Sequence, residues 1–196
     1  MQDCDDGNSG RFENSTSVLV ETGIYGELDL IYRDDEICGS FREGVPMTVT
    51  ISRTGPRTSD TAPIGTRTAA HLQASIDGRD IVLDPGRARL FKRSYRIGIQ
   101  YGGRTLTLRA KNLEDSVLLD GSSDRGDNEF GVLTRVFAGG VDVLWSLPFT
   151  MVNKTIEPPT PSREDALVGI VVAAAFGTGG LSLTTIVMGA LESILP

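Results

Sequence analysis

The last part of the chain is the feature that most constrains the fold. No charged side chain occurs between Asp165 and Glu192, and residues 166–176 (ALVGIVVAAAF) are apolar throughout. Ser162 and Asp165 have the spacing of a capping box, in which each residue satisfies the backbone amide of the other. A helix that is apolar on every side must be enclosed by protein or immersed in lipid. The sequence therefore predicts a hydrophobic helix within residues 160–196 and leaves its surroundings open.

A glycine-rich interruption decides how long this helix can be. Residues 177–180 (GTGG) separate the first apolar run from a second one at 181–191. A helix that crosses a membrane needs about 20 apolar residues, and each glycine in a helix interior costs up to about 1 kcal/mol. If the helix breaks here, each arm is roughly 18 Å long, which suits a protein core. We predict a buried helix, and a transmembrane helix over 166–191 is the alternative.

The preceding 15–159 region has the pattern of a β-rich body. Asp77-Gly78, Gly102-Gly103 and Gly139-Gly140 are two-residue hairpin signals between apolar runs. Strand patterns occur at 17–22, 27–32, 36–41, 47–52, 68–76, 81–83, 93–101, 104–111, 116–119, 130–137 and 141–147. Residues 53–67 have no apolar period and are predicted to form an exposed loop.

Many short strands with turn residues between them indicate a sandwich or a barrel. We predict a mainly β fold, a closed or nearly closed antiparallel β-barrel around the hydrophobic C-terminal helix. Residues 15–159 and 160–196 are expected to form one domain. The acidic residues 1–14 are expected to be disordered or loosely attached.

Charge and cysteine content exclude some partners. The net charge is −7 and the pI is near 4.7, which argues against nucleic acid because phosphate binding needs a basic surface. The N-terminus lacks the basic and apolar regions of a secretory signal. Two cysteines, Cys4 and Cys38, make neither a disulfide framework nor a metal site. We predict free thiols in a cytoplasmic, membrane-associated protein, with a single disulfide as the alternative.

The hairpin around Gly102-Gly103 is the one local constellation that suggests a binding site. Counting outward from the turn pairs Tyr101 with Arg104, Ile99 with Leu106, Ile97 with Leu108 and Tyr95 with Ala110. The opposite face is basic and carries Lys92, Arg96, Arg109 and Lys111, with Arg96 directly across from Arg109. Like charges in such a pair are destabilising unless they are neutralised. We predict an anion site for phosphate headgroups or an acidic partner; alternatively, acids such as Glu27 and Asp29 neutralise the pair.

Signals for catalysis are weak. His71 is the only histidine and alternates with apolar residues as a surface-facing strand residue would. The glycine pairs lack the lysine and hydroxyl residue of a phosphate loop, and no nucleophile elbow or EF-hand spacing occurs. We predict no catalytic residue, cofactor or metal, so an enzyme is the class with the least support.

Three segments carry a resemblance to a known family: RIGI at 96–99, FGVLTR at 130–135 and DALVGIVVAAA at 165–175. Over residues 15–195 the chain resembles the Tubby C-terminal-like superfamily, which includes LURP-one-related and phospholipid-scramblase-like proteins. The resemblance implies a closed barrel that encloses a hydrophobic C-terminal helix. It also implies binding of membrane phospholipid through a basic pocket, for which Lys92, Arg96, Arg109 and Lys111 would be candidates.

The resulting functional prediction is a non-enzymatic protein that binds anionic phospholipid or an acidic partner through the basic hairpin. One alternative is a tail-anchored membrane protein with a cytoplasmic β-domain and a C-terminal transmembrane helix. The other is a structural or assembly subunit that oligomerises through the C-terminal helix.

Overall fold

The computed structural model of the chain describes residues 15–88, 92–122, 128–136, 139–151 and 154–180. These residues contain fourteen strands and one α-helix, together with short 3-10 helices at Ala69–His71 and Lys92–Tyr95. In chain order the strands are β1 (Thr16–Glu21), β2 (Glu27–Tyr32), β3 (Glu36–Phe41), β4 (Thr48–Arg53), β5 (Leu72–Ile76), β6 (Arg79–Asp80), β7 (Val82–Pro85), β8 (Ile97–Tyr101), β9 (Arg104–Ala110), β10 (Asp115–Asp120), β11 (Glu129–Arg135), β12 (Val141–Trp145), β13 (Phe149–Met151) and β14 (Lys154–Ile156). The helix, α1, is Arg163–Phe176.

The strands form two six-stranded antiparallel sheets. Sheet A has the order β1-β2-β3-β4-β5-β6, sheet B has the order β12-β11-β10-β9-β8-β7, and β13 pairs only with β14. Neighbours in the sheets are neighbours in the chain, and most are joined by short turns; the longer connections are residues 54–71 between β4 and β5 and residues 86–96 between β7 and β8. Asp77 and Gly78 have φ values of 47° and 76°, the left-handed conformation that a tight hairpin turn requires. The predicted mainly β fold is confirmed.

Helix α1 lies between the two sheets, and protein surrounds it. Every side chain from Ala166 to Phe176 is buried, and these residues share one core with the inward side chains of both sheets. Two glycines permit the close packing: a Cβ at Gly39 of β3 would collide with Val171, and a Cβ at Gly169 would collide with Leu118 of β10. The helix therefore contacts each sheet at a position where a larger residue would not fit.

The predicted closure of the barrel is not confirmed. Within the described residues no strand pairing joins β1 to β12 or β6 to β7, so both sheets are open. Side chains connect the outer edges instead. The Trp145 indole N–H donates to the Thr22 carbonyl at 2.7 Å, and the Tyr32 hydroxyl donates to the Gly139 carbonyl. The edges of β1 and β12 are thus held near each other without a shared ladder.

The helix ends where the glycine-rich interruption begins. Gly177 has a φ of 76°, which stops the helix after Phe176. Within the described ranges, none of the helices combines the length and apolarity needed to cross a membrane. The alternative prediction of a single transmembrane helix over 166–191 is therefore wrong for residues 166–176, which pack between the two sheets. Residues 181–191 lie outside the described residues.

The prediction of an exposed loop at 53–67 is confirmed for residues 54–61, most of which are exposed, and is wrong for residues 62–66. Ala62 and Ile64 are completely buried, and the Ile64 amide donates to the Ala175 carbonyl at 2.9 Å. The Arg53 Nε donates to the Ile64 carbonyl at 3.0 Å and holds this turn in place. The segment covers the C-terminal end of α1. Its two buried apolar side chains, Ala62 and Ile64, are too few to produce an apolar period in the sequence.

The prediction of free thiols is also wrong for Cys38, which is disulfide-bonded. Cys4, the other cysteine of the chain, lies outside the described residues, as does the rest of the 1–14 segment. Stable disulfides form in oxidising compartments and are rare in the cytosol. Free thiols therefore no longer support the cytoplasmic location, which stays a prediction.

Candidate functional site

The β8–β9 hairpin forms in the predicted register up to Ile97. The pairs Tyr101–Arg104, Ile99–Leu106 and Ile97–Leu108 are confirmed. Beyond them the prediction is wrong, because residues 92–95 form a 3-10 helix and β8 begins only at Ile97. The β8–β9 ladder ends at the pair Ile97–Leu108, so the predicted pair Tyr95–Ala110 does not form. Arg96 is therefore not directly across from Arg109 in the ladder.

The predicted basic residues nevertheless lie along one surface. Thr107, Arg109 and Lys111 alternate along β9 and its end, so they point away from the helix. The Arg96 Nη2 donates to the Ser122 carbonyl at 2.8 Å and lies 3.4 Å from the Thr107 hydroxyl oxygen. Arg96 thus joins the same face of the sheet. Lys92 begins the adjacent 3-10 helix, and its side chain lies outside the described part of the structure.

Acids from neighbouring strands accompany two of these cations. The Arg109 Nη2 lies 3.7 Å from Glu129 Oε1 of β11. Lys111 lies near Asp115, whose pKa is lowered by hydrogen bonds from Thr134 and Asn112 and, less strongly, by the Lys111 charge. The predicted suppliers are wrong, because Glu27 and Asp29 both pair with Arg42, at 3.2 and 2.9 Å. Whether Lys92, Arg96, Arg109 and Lys111 bind an anion stays a prediction.

A neighbouring segment carries basic groups that the pairing count missed. The β7–β8 hairpin continues past its strands, since the Gly86 amide donates to the Arg96 carbonyl and the Ala88 amide donates to the Ser94 carbonyl, both at 2.7 Å. We call residues 86–96 the basic loop. Its sequence, GRARLFKRSYR, contains no acid.

Two arginines of the basic loop are exposed, Arg87 and Arg93. Within the described part of the chain, neither guanidinium has a hydrogen bond or an ion pair with another residue. A search for basic segments without acids would have found this loop in the sequence. The structure adds that both side chains are exposed.

A buried arginine fixes the base of the basic loop. Arg67 donates from Nε to the Gly86 carbonyl at 2.9 Å, from Nη2 to the Tyr95 carbonyl at 3.1 Å and from Nη1 to the Phe176 carbonyl at 3.4 Å. Its guanidinium carbon lies 5.7 and 5.4 Å from the ring centres of Tyr95 and Phe176. Burial lowers its pKa to about 10, so it remains a cation at neutral pH. Positive charge is favourable there because it faces the C-terminal end of the helix dipole.

The opposite end of α1 is anchored by a buried carboxylate. Asp165 accepts hydrogen bonds from the Tyr101 hydroxyl and from Arg104 Nη2, the latter at 2.9 Å. The predicted capping box is present, with Ser162 and Asp165 each accepting from the other's amide at 3.1 Å. Burial raises the pKa of Tyr101 above its usual value. These contacts connect the start of the helix to β8 and β9 and leave the carboxylate occupied by structural bonds.

Three further kinds of candidate were considered in the sequence: metal-ligating side chains, the single histidine and the single tryptophan. Within the described ranges, no three His, Cys, Asp or Glu side chains come together as metal ligands. His71 is partly buried at the end of its 3-10 helix, with no hydrogen-bond partner for its Nδ1 atom in the described residues. Trp145 packs against the core, as its alternation with Val141 and Val143 predicts.

Comparison of the chain with protein-family models, with curated proteins and with solved structures finds no match. The functional interpretation therefore rests on the sequence and structure of this chain alone.

Proposed function

We propose that the protein is a non-enzymatic binding protein that attaches to an anionic phospholipid surface through the basic loop. The observation that carries the proposal is the pair of exposed, unpartnered guanidinium groups of Arg87 and Arg93 on a segment without acids. Guanidinium groups form bidentate hydrogen bonds with phosphate. Arg96 lies beside them at the end of the loop and forms no ion pair with a described residue.

Local charge decides the orientation of such an attachment. The whole chain carries a net charge of −7, which an anionic surface would repel at long range. Salt screens charges beyond about 8 Å at physiological ionic strength, so a surface near the basic loop interacts mainly with that loop. Each cation near an anionic membrane strengthens binding roughly fivefold. The proposal therefore requires binding that is modest and sensitive to salt.

The position of Gly180, the last described residue, supports a membrane surface as the source of the anions. The Gly180 amide donates to the Asn112 carbonyl at 2.9 Å, just beyond the end of β9. Because β8 and β9 are antiparallel, this end of β9 lies beside the start of β8, where the basic loop is. The apolar residues 181–191 therefore follow from the end of the body that carries Arg87 and Arg93. A basic patch next to an apolar segment is a common combination for membrane attachment.

The proposal agrees with the resemblance to the Tubby C-terminal-like superfamily. That resemblance implies strands around a hydrophobic C-terminal helix and a basic site for phospholipid. It also makes a closed barrel the proposed form of the two sheets, supported by the Trp145 and Tyr32 bonds that bring the outer edges together. A β1–β12 ladder in an experimental structure would establish that closure, and a solvent-filled gap between these strands would exclude it.

Liposome co-sedimentation tests the proposed function. The full chain is expected to bind vesicles that contain phosphatidylserine, to release them at high salt, and not to bind vesicles of phosphatidylcholine alone. Arg87→Glu/Arg93→Glu should reduce binding at least tenfold, because two favourable charges become unfavourable.

Two control variants separate this loop from general charge effects. Arg87→Lys/Arg93→Lys keeps both charges and should retain most of the binding. Arg42→Glu/Arg79→Glu makes the same double charge change at two half-exposed arginines near the start of α1, at the other end of the body, and should have a small effect. Equal binding by Arg87→Glu/Arg93→Glu and the parent chain would contradict the proposal. If the chain binds an acidic protein but no vesicle, the basic loop is a site for an acidic protein partner and not for a membrane.

A further inference from the structure

A cavity of about 730 Å³ opens where the chain passes from sheet A to sheet B. The local strand lengths explain its position. β6 is only two residues long, so β5 has a paired neighbour on this side only at Ser75 and Ile76. One further hydrogen bond, from the Ile81 amide to the Ala74 carbonyl at 2.8 Å, connects the two segments. β7 then pairs with β8 in the other sheet, and the space beside β5 remains open.

Polar side chains from three adjacent strands converge on this cavity. Ser52 of β4 is the pairing partner of Gln73 of β5, and Ser75 of β5 pairs with both Thr50 of β4 and Asp80 of β6. All five residues line the cavity. Directly opposed residues on one face of a sheet lie about 5 Å apart, so these groups form two short rows of hydrogen-bonding positions.

Four of these side chains have unused hydrogen-bonding capacity. Within the described residues, the side chains of Ser52, Gln73, Ser75 and Asp80 form no hydrogen bond or ion pair with the protein. Thr50 differs, since its hydroxyl contacts the sulfur of Cys38 at 3.8 Å. The hydroxyl and amide groups can both donate and accept, whereas the Asp80 carboxylate accepts only.

The lining specifies the chemistry of the ligand. Among the described residues that line the cavity, Asp80 is the only charged one, so an anion would be repelled, whereas a neutral molecule with hydroxyl donors would be accepted. Ala69 is exposed and Val82 is 61% exposed, and both line the cavity as apolar surface beside the polar rows. Alternating hydroxyl groups and C–H surfaces are features of a sugar ring. The volume lies within the range of ordinary ligand sites, roughly 300–1,000 Å³.

We infer that this cavity at the junction of β5, β6 and β7 binds an uncharged, hydroxyl-rich ligand of the size of one or two sugar rings. Ser52, Gln73, Ser75 and Asp80 hydrogen-bond its hydroxyl groups, and Ala69 and Val82 contact its C–H surface. The inference does not depend on the proposed membrane attachment, because none of the described residues of the basic loop lines the cavity.

Titration of the ¹⁵N-labelled full chain with glucose, N-acetylglucosamine and maltose, followed by backbone amide shifts, tests this inference. At least one of these probes is expected to shift the amides of residues 73–75 and 80 in a saturable way at millimolar concentration. Gln73→Ala/Asp80→Asn should weaken that binding tenfold or more, because the hydrogen bond to Gln73 is lost and the acceptor at position 80 loses its charge. Ser75→Ala alone should weaken it severalfold.

The matched control is Gln100→Ala/Asp84→Asn, which makes the same two substitutions at exposed positions of β8 and β7 outside the cavity lining. This variant should bind like the parent chain, and the dispersed spectrum of each variant verifies that it is folded. The inference is overturned if none of the three sugars shifts these amides at tens of millimolar. It is equally overturned if the cavity variant binds as well as the control, or if inorganic phosphate alone produces the shifts.

Discussion

Deletion of residues 160–196 is expected to abolish the cooperative unfolding transition of the chain. The deletion removes α1, whose side chains from Ala166 to Phe176 are at most 2% exposed. Burying one large apolar side chain contributes about 1.5–3 kcal/mol, so the loss is on the order of 10 kcal/mol. A domain of this size has a net stability of about 5–15 kcal/mol. Urea unfolding followed by far-ultraviolet circular dichroism and by Trp145 fluorescence would measure the effect.

A shorter deletion is the control for this experiment. Removing only residues 181–196 keeps α1 together with the 177–180 turn, so the cooperative transition should remain. A soluble chain without residues 160–196 that still unfolds in one sharp transition would contradict the expectation. That result would mean that the two sheets form a core without the helix.

Asp165→Ala is expected to lower the free energy of unfolding by about 3 kcal/mol, near the lower end for breaking a buried ion pair. The Asp165 side chain is only 2% exposed, and its removal leaves the buried Tyr101 hydroxyl without an acceptor. The substitution also removes half of the capping box, which contributes about 1 kcal/mol. Arg104 is 44% exposed and can be rehydrated, which limits the loss. Urea unfolding of parent and variant at neutral pH gives the difference.

The same variant predicts a dependence on pH. Burial raises the pKa of Asp165, but the hydrogen bonds from Tyr101, Arg104 and Ser162 outweigh burial and hold it below its usual value of 3.8. A carboxylate with a lowered pKa in the folded state stabilises that state fully above its unfolded pKa. The contribution disappears as the pH falls through the folded pKa. The difference in stability between parent and variant should therefore be constant from neutral pH to about pH 5 and shrink below about pH 4.

Asp29→Ala is the matched control, because it removes a carboxylate that pairs with the half-exposed Arg42 on the surface of sheet A. Surface ion pairs contribute about 0–1 kcal/mol. Similar losses for the two variants would show that the Asp165 network does not anchor the helix.

The features that the sequence predicted well depend on neighbouring residues. The capping box at Ser162 and Asp165 and the hairpin turn at Gly102-Gly103 formed as predicted. A side-chain cap and a two-residue turn act over a few residues, so their local pattern determines them. The apolar helix was also predicted, and its burial in protein was preferred over a bilayer because of the glycine-rich interruption at 177–180.

Features that depend on distant residues were not predictable in the same way. Pairing counts placed Arg96 across from Arg109, but the 3-10 helix at Lys92–Tyr95 ends the ladder first. Arg67 bonds only to backbone carbonyls, so no partner type in the sequence indicates its role. The cavity beside β5 has no motif, because its serines and glutamine have the alternation of an ordinary solvent-facing strand.

Hydrogen–deuterium exchange of the α1 amides tests the enclosure of the helix by the two sheets most directly. Amides in an enclosed core exchange only when the whole domain unfolds. Peptides that cover Ala166–Phe176 should therefore give the same free energy of exchange as those from β3 and β10, and that value should equal the free energy of global unfolding. Rapid exchange of the helix amides while the strands of both sheets stay protected would contradict the enclosure.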